Sequence, residues 1–202
     1  MYKPFILCLI FFSFFAAKAQ RLEVHGIKDF SNNSTANKAW GVGGALHFDQ
    51  FVKKTTFSAH FDWATYRSKN KETNPRYDRI SGGVSAFYAV TLSKKISLHC
   101  GAEINYTNLK YTYRYAIEEV VPNTEKFLTV QQTGHFIGIG PHVGLNYELS
   151  PRFSLRLNFI PSYLISVGSK SSVPDIEPEY SKGMWLLPLQ LGITYKLFMS
   201  EQ

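Results

Sequence analysis

The chain has 202 residues, 45% of them hydrophobic and 15% aromatic, with 22 Lys and Arg against 15 Asp and Glu. That length fits one domain, and the basic residues are scattered, with no patch interleaved with stacking aromatics of the kind nucleic-acid binding needs. The only two cysteines, Cys8 and Cys100, allow neither a disulfide framework nor a cysteine metal site.

The chain opens with "MYKPFILCLIFFSFFAAKAQ". A basic Lys3, an apolar run from Phe5 to Phe15 and the small-x-small Ala17-Lys18-Ala19 predict a secretory signal over residues 1–19, with the mature chain beginning at Gln20. The run is too short for a comfortable transmembrane helix. Cys8 leaves with it, and its flanks lack the small residues that a lipoprotein signal places before its cysteine. Cys100 then stands alone in an apolar alternation, as a small hydrophobe. Loss of Lys3 and Lys18 leaves 20 basic against 15 acidic residues, a net charge of +5. Such a surface suits anionic lipid headgroups, although solubility explains it equally well.

Residues 20–202 are expected to form one domain without a sustained helical period. Strand alternation recurs instead, and predicts strands over 22–30, 39–50, 55–67, 79–92, 96–115, 133–149, 153–167 and 183–198. The interruptions alternate in length. Short ones at 50–55, 93–95 and 150–152 separate long polar ones at 31–38, 68–78, 116–132 and 168–182. Seven such connections join eight strands in up-and-down order, with tight turns and both termini on one side and long loops on the other. Outer-membrane barrels have this layout, and an even strand count lets the sheet close without leaving an edge in lipid. The fold class expected is therefore all-β: an eight-stranded antiparallel transmembrane barrel behind a cleavable signal peptide.

One register of the second to eighth strands collects 44 positions, from Trp40, Val42, Gly44, Leu46 and Phe48 to Ile193, Tyr195 and Leu197, and none is charged. At the chain's 18% charged content about eight would be expected by chance. Its aromatics gather at two levels. Phe48, Phe57, Tyr147, Phe153 and Tyr195 fall beside the short turns, and Trp40, Trp63, Tyr106, Tyr163 and Trp185 fall toward the long loops. Two girdles around an aliphatic band suit two lipid–water interfaces, so this face is expected to point to lipid. A soluble lipocalin-like carrier would need the opposite arrangement.

The other register carries His47, Asp49, His60, Asp62, His99, Glu103, His142, Glu148, Arg156, Asn158, Gln190 and Lys196 among small residues and glycines. An eight-stranded barrel is wide enough only for side chains to fill it, so these residues are expected to satisfy one another in a polar lumen. By register, His60 and His99 lie low and His142 nearer the middle. Phe87, Ile160 and Leu164 break the pattern by facing inward. The phase of "NLKYTYRY" (108–115) slips, which predicts a bulge or an excursion above the membrane. Pro141, Pro161 and Pro188 fit poorly in a closed ladder, and the first strand alternates weakly.

The C-terminal "LQLGITYKLF", ending in Tyr195 and Phe198, resembles the terminal strand by which outer-membrane barrels are recognised for assembly. Here four residues follow Phe198, where an aromatic usually ends the chain. With the "AKAQ" signal end, the whole mature chain resembles the small outer-membrane β-barrel proteins of the Bacteroidota. These are similar in architecture to the OmpA-type transmembrane domain and include the PorT-like proteins of a secretion system. The resemblance implies a fold and a location, and passage through the barrel-assembly machinery, but carries no catalytic motif.

Chemistry is weighed against that background. Inward His47, His60, His99 and His142, with Asp62 and Glu103, could bind zinc if they shared one height. No ligand spacing of known type occurs, so a hydrogen-bond and ion-pair network with Arg156 and Lys196 is expected, without metal or cofactor. A lipid-modifying enzyme would need a lipid-facing nucleophile–His pair with an acid. His135 and Thr133 have the right parity but no such partner in register. "GIGPHVG" (138–144) and "GVGG" (41–44) open no helix, and read as inward glycines of a narrow barrel rather than phosphate loops. The expected function is structural or loop-mediated: a monomeric, non-catalytic barrel in outer-membrane lipid, with a protein or glycan partner conceivable at the long loops. The alternatives are a narrow solute channel, a lipid-modifying enzyme and a secretion-system accessory barrel.

Overall fold

The structure, a computed structural model, describes residues 20–31, 38–52, 55–68, 74–117, 126–173 and 183–197. The expected signal segment, Phe198 and much of the four long interruptions lie outside these residues.

Antiparallel strands follow one another as β1 (Arg21–Lys28), β2 (Trp40–Val52), β3 (Thr55–Arg67), β4 (Arg76–Thr91), β5 (Ile96–Ile117) and β6 (Lys126–Glu148). The seventh path is divided into β7 (Phe153–Phe159) and β8 (Ser162–Ser171), and the eighth into β9 (Met184–Leu186) and β10 (Leu189–Lys196). β5 pairs with β6, and β1 pairs with both β2 and β10 along its whole length, so the sheet closes. The result is an eight-stranded up-and-down barrel, as the alternation predicts.

The two interruptions fall at prolines. Pro161 immediately precedes β8, and Pro188 immediately precedes β10. Neither proline has an N–H to give. Pro141 is accommodated by the first of these gaps. On that side of β6, Val143 pairs with Phe159 and Ile139 with Tyr163, and Pro141 lies between them where the ladder is open.

The first strand is better formed than its pattern suggests. Leu22 and Val24 point outward while Glu23, His25 and Ile27 are buried inside. β1 is held by two full neighbours, so its weak apolar alternation does not leave it at an edge.

β5 and β6 are far longer than the roughly 9–11 residues that cross a bilayer, pairing from Ile96↔Tyr147 up to Ile117↔Lys126 without a register shift. The expected phase slip at 108–115 is therefore corrected. Thr107 and Leu109 continue the inward parity of Glu103 and Asn105, while Asn108 and Lys110 continue the outward parity of Tyr106. What changes is polarity: beyond Tyr106 the outward residues are polar and the inward ones increasingly apolar. A strand leaving lipid for water requires that inversion, because its outer surface is now solvated. Register shifts lie elsewhere: between Asp49 and Val52 at the turn end of β2, and on β8, where His135 pairs with Gly168 and Phe136 with Ser166, leaving Val167 out of the count.

The outward face through the middle of the barrel is apolar and exposed, from Val24 and Val42 through Val84, Ile104 and Ile139 to Leu191 and Ile193. Cys100 is among the exposed positions. Leu46 departs from the expectation: it keeps the outward register between Leu22 and Ala59 but is only 3% exposed. This inside-out distribution is opposite to that of a soluble carrier.

Candidate functional site

The interior is built in tiers from inward residues of every strand path. At the short-turn end an open vestibule of about 710 Å³ is lined by Arg21, Asp49, His99, Asn146, Glu148 and Lys196, among others. Arg21 is ion-paired to Asp49, which also accepts from Thr56 Oγ1 at 2.8 Å. Lys196 Nζ lies 3.5 Å from Glu148 Oε1, both groups partly exposed. Three expected network members, Asp49, Glu148 and Lys196, thus sit in the mouth and pair locally. They are near the strand ends, where water reaches the lumen.

Above the mouth, the Arg156 guanidinium packs over the Phe87 ring at 4.5 Å from its centroid. Phe87 also stacks on His99 at 5.1 Å and lies 4.9 Å from His142 and 6.2 Å edge-on from His47. Side chains from β2, β4, β5, β6 and β7 therefore meet around one ring. Arg156 donates from Nη2 to His99 Nδ1 at 2.9 Å and from Nε to Asn158 Oδ1 at 3.1 Å.

Glu23 is the hub of the next tier. His47 Nε2 is 2.9 Å from its Oε2, Arg156 Nη1 is 3.4 Å from the same oxygen, and Asn158 Nδ2 donates to Oε1 at 3.4 Å. His25 presents Nδ1 to Glu23 Oε1 and Nε2 to Asp62 Oδ1, each at 2.9 Å. Gln190 Nε2 donates to Asp62 Oδ2 at 3.0 Å. Gly43 leaves the space for this group: a Cβ there would lie 2.3 Å from Asp62 Oδ1 and 2.4 Å from His25 Nε2.

His60 Nε2 and His142 Nδ1 flank Glu103 at 3.6 and 3.9 Å, so His60 lies at the depth of His142 and not low with His99. Asn105 Nδ2 donates to Glu103 Oε1 at 3.0 Å. A cavity of about 10 Å³ lies among Glu23, His47, His60, Glu103 and His142, with Ile160 in its wall. That is room for about one water. Among the described residues no group of three or more His, Cys, Asp or Glu is arranged to hold a metal ion.

Toward the long loops, Arg79 grips Asp29 in a bidentate pair, Nε to Oδ2 at 2.8 Å and Nη2 to Oδ1 at 2.9 Å. Beyond it the lumen becomes apolar, filled by Ala39, Ala64, Tyr77, Leu109, Phe136, Leu164, Met184 and Leu186. Leu164, an apparent misfit in the polar register, belongs to this cap, while Phe87 and Ile160 belong to the tiers below.

The expected residues His47, His60, Asp62, His99, Glu103, His142, Arg156, Asn158 and Gln190 are thus brought together. Sequence reasoning omitted Glu23, His25, Asp29 and Arg79. The signal for the first two was present in "LEVHG", where apolar Leu22 and Val24 alternate with polar Glu23 and His25. Arg79 has the inward parity of Ser81, and Asp29 that of Ile27.

On the outside, Trp40, Trp63, Tyr106, Tyr163 and Trp185 are exposed toward the long loops, and Phe57, Tyr147 and Phe153 toward the turns. Phe48 and Tyr195 are half-buried. Neighbouring rings meet at both ends: Phe153 with Tyr195 at 5.1 Å, and Tyr163 with Trp185 at 5.3 Å. His135 Nδ1 faces the Tyr106 hydroxyl at 2.6 Å and the Asn108 amide at 3.0 Å, so its neighbours are a phenol and an amide rather than an acid.

Comparison with known proteins agrees with this architecture. The family model described as Legionella pneumophila major outer membrane protein precursor matches residues 29–170. No curated protein matches the sequence. Among solved structures, a major outer membrane protein from Thermus thermophilus superposes with a TM-score of 0.58 at 13% identity, covering 88% of this chain and 99% of that one. Neisserial surface protein A gives a TM-score of 0.53 at 15% identity, covering 88% and 95%.

Proposed function

The chain belongs to the family of the Legionella pneumophila major outer membrane protein and is an outer-membrane β-barrel protein, and on that premise we propose that it is a closed, non-conducting barrel. Its role is structural or mediated by its long loops, and it performs no catalysis. The observation that carries this reading is the double obstruction of the lumen. Phe87 and Arg156 fill one tier with side chains from five strands, and the apolar cluster around Leu109, Phe136 and Leu164 fills another. Water and ions avoid an apolar constriction, and a buried polar network between two plugs fixes the cross-section.

The polar residues serve as a lumen scaffold and the two aromatic levels as interface anchors. Tyr195 and Phe198 form the terminal sequence signal read by the barrel-assembly machinery. The barrel acts as a monomer in outer-membrane lipid, with a protein or surface glycan as the partner class for its loops and no cofactor. The narrower likeness to the Bacteroidota barrels, including the secretion-system accessory proteins, rests on the signal end and the terminal strand. A narrow solute channel is favoured by one observation, the 710 Å³ vestibule, but needs a path past Phe87. A lipid-modifying enzyme would need an acid beside His135.

Conductance in planar bilayers tests the proposal. The folded protein is expected to insert without current steps. Steady, discrete conductance at neutral pH would overturn the closed-barrel reading in favour of the channel.

A further inference from the structure

The β8 bulge has an effect on the outer surface. Up to Ile165 the odd residues of β8 face outward, with Tyr163 opposite Ile139 and Ile165 opposite Ile137. Unbroken parity would carry Lys170 inside. Because Val167 is skipped, Gly168 pairs with His135 and Lys170 with Thr133, both outward positions of β6. Re-aiming a side chain is a recognised consequence of a bulge.

Across β6 from Lys170, Thr133 pairs with Lys110 of β5. Lys110, Thr133 and Lys170 therefore form one outward row on three adjacent strands. At about 4.8 Å between strands, the two lysine backbones stand about 10 Å apart, and their flexible stems can bring both amines over Thr133. Lys110 also lies opposite Asp78, but that carboxylate accepts from Arg76 Nε at 2.6 Å and Thr65 Oγ1 at 2.7 Å. Neither lysine forms an ion pair among the described residues. Beside them lies an open pocket of about 340 Å³ lined by Gln131, Thr133, His135, Lys170, Ser171 and Ser172.

Below the row comes one further outward row, Asn108, His135 and Gly168, and beneath that the surface turns apolar, with Tyr106, Ile137, Tyr163 and Ile165 all exposed. Two cations and a set of hydroxyl and amide donors thus stand above an apolar band, with one polar row between. That pairing fits an amphiphile with an anionic, multiply accepting head and acyl chains, since lysines near a membrane surface attract anionic headgroups. We propose that Lys110, Thr133 and Lys170, with the pocket beside them, bind a phosphate group of the glycolipid in the outer leaflet, the leaflet adjoining the long loops. A bulge that merely kept Lys170 out of the lumen would create no such preference.

Native mass spectrometry of the folded full chain in detergent tests this, with bisphosphorylated lipid A as probe and the same lipid dephosphorylated as control. The phosphorylated form is expected to bind roughly tenfold more tightly or better. Lys110→Gln/Lys170→Gln should abolish that preference. Lys94→Gln/Lys95→Gln, the same charge change at a short turn, should preserve it. All four lysines are exposed, and heat-modifiability on a gel verifies that each variant has folded. Equal binding of the two lipids would overturn the proposal, as would equal loss in both variants. Displacement of the lipid by millimolar inorganic phosphate would overturn the lipid as the source of the phosphate.

Discussion

Glu23 is 1% exposed, and both its oxygens face nitrogen atoms of His25, His47, Arg156 and Asn158. A buried ion pair adds little net stability, but removing one partner strands the other charge at a cost of about 3–5 kcal/mol. Arg156→Met and Glu23→Gln should therefore each lower the urea midpoint of the barrel substantially. The double variant should lose less than the sum of the two, by about 1–3 kcal/mol, because the stranded charge is gone. Tryptophan fluorescence during urea titration in detergent measures all three. Additivity would mean that Glu23 and Arg156 are not coupled. Gly43→Val probes the same group sterically, since its side chain must displace the His25–Asp62 contact. It should destabilise by about 1–3 kcal/mol, read from the same titration.

At the scale of the element, β5 passes from one solvent to another. Ile104 is 52% exposed on the apolar band, between Val84 and Ile139. Thr112, eight residues further along the same outward register, lies among Lys110, Arg114 and Gln131. A lysine facing lipid near the midplane costs about 2–4 kcal/mol, whereas one outside the bilayer costs almost nothing. Ile104→Lys should thus be strongly destabilising and Thr112→Lys nearly neutral. Urea unfolding in lipid vesicles distinguishes them, and equal effects would place both residues in the same environment. This strand also explains why parity was misread at 108–115. Side-chain polarity reports which face is apolar, and it reports parity only while the surrounding solvent stays the same.

For the whole molecule, closure is the property on which everything else rests. β1 bridges β2 and β10, so no edge remains between the first and last strand paths. A closed barrel resists detergent until heated. The unboiled protein should run faster on a gel than the boiled one, with a β-type far-UV circular dichroism spectrum. Identical migration would contradict closure. The long β5–β6 hairpin and the apolar cap beneath it form one unit at the loop end, where the barrel is apolar inside and polar outside like a water-soluble protein. In the membrane band the order is reversed. The two regimes meet near Tyr106 and Ile137, two outward rows below the one proposed to hold a lipid phosphate.

The strand path, the apolar outer band and most of the inward polar set were legible in the amino-acid sequence. Partition between lipid and lumen acts on each side chain separately, and therefore leaves its mark at every second residue. Val84 and Ile104 need no knowledge of their neighbours to be placed outside. Three features could not be read that way. The ladder breaks at Pro161 and Pro188 depend on which neighbouring strand needs an N–H. The outward aim of Lys170 depends on a bulge that no local pattern marks. The meeting of Glu23 with Arg156 joins residues 133 apart in the chain, and depends on how the strands are staggered around the closed sheet. Within the membrane band, sequence alone determined which residues face in and which face out. Only closure of the barrel decided which inward groups touch, because contact across a lumen is set by the register of all its strands together.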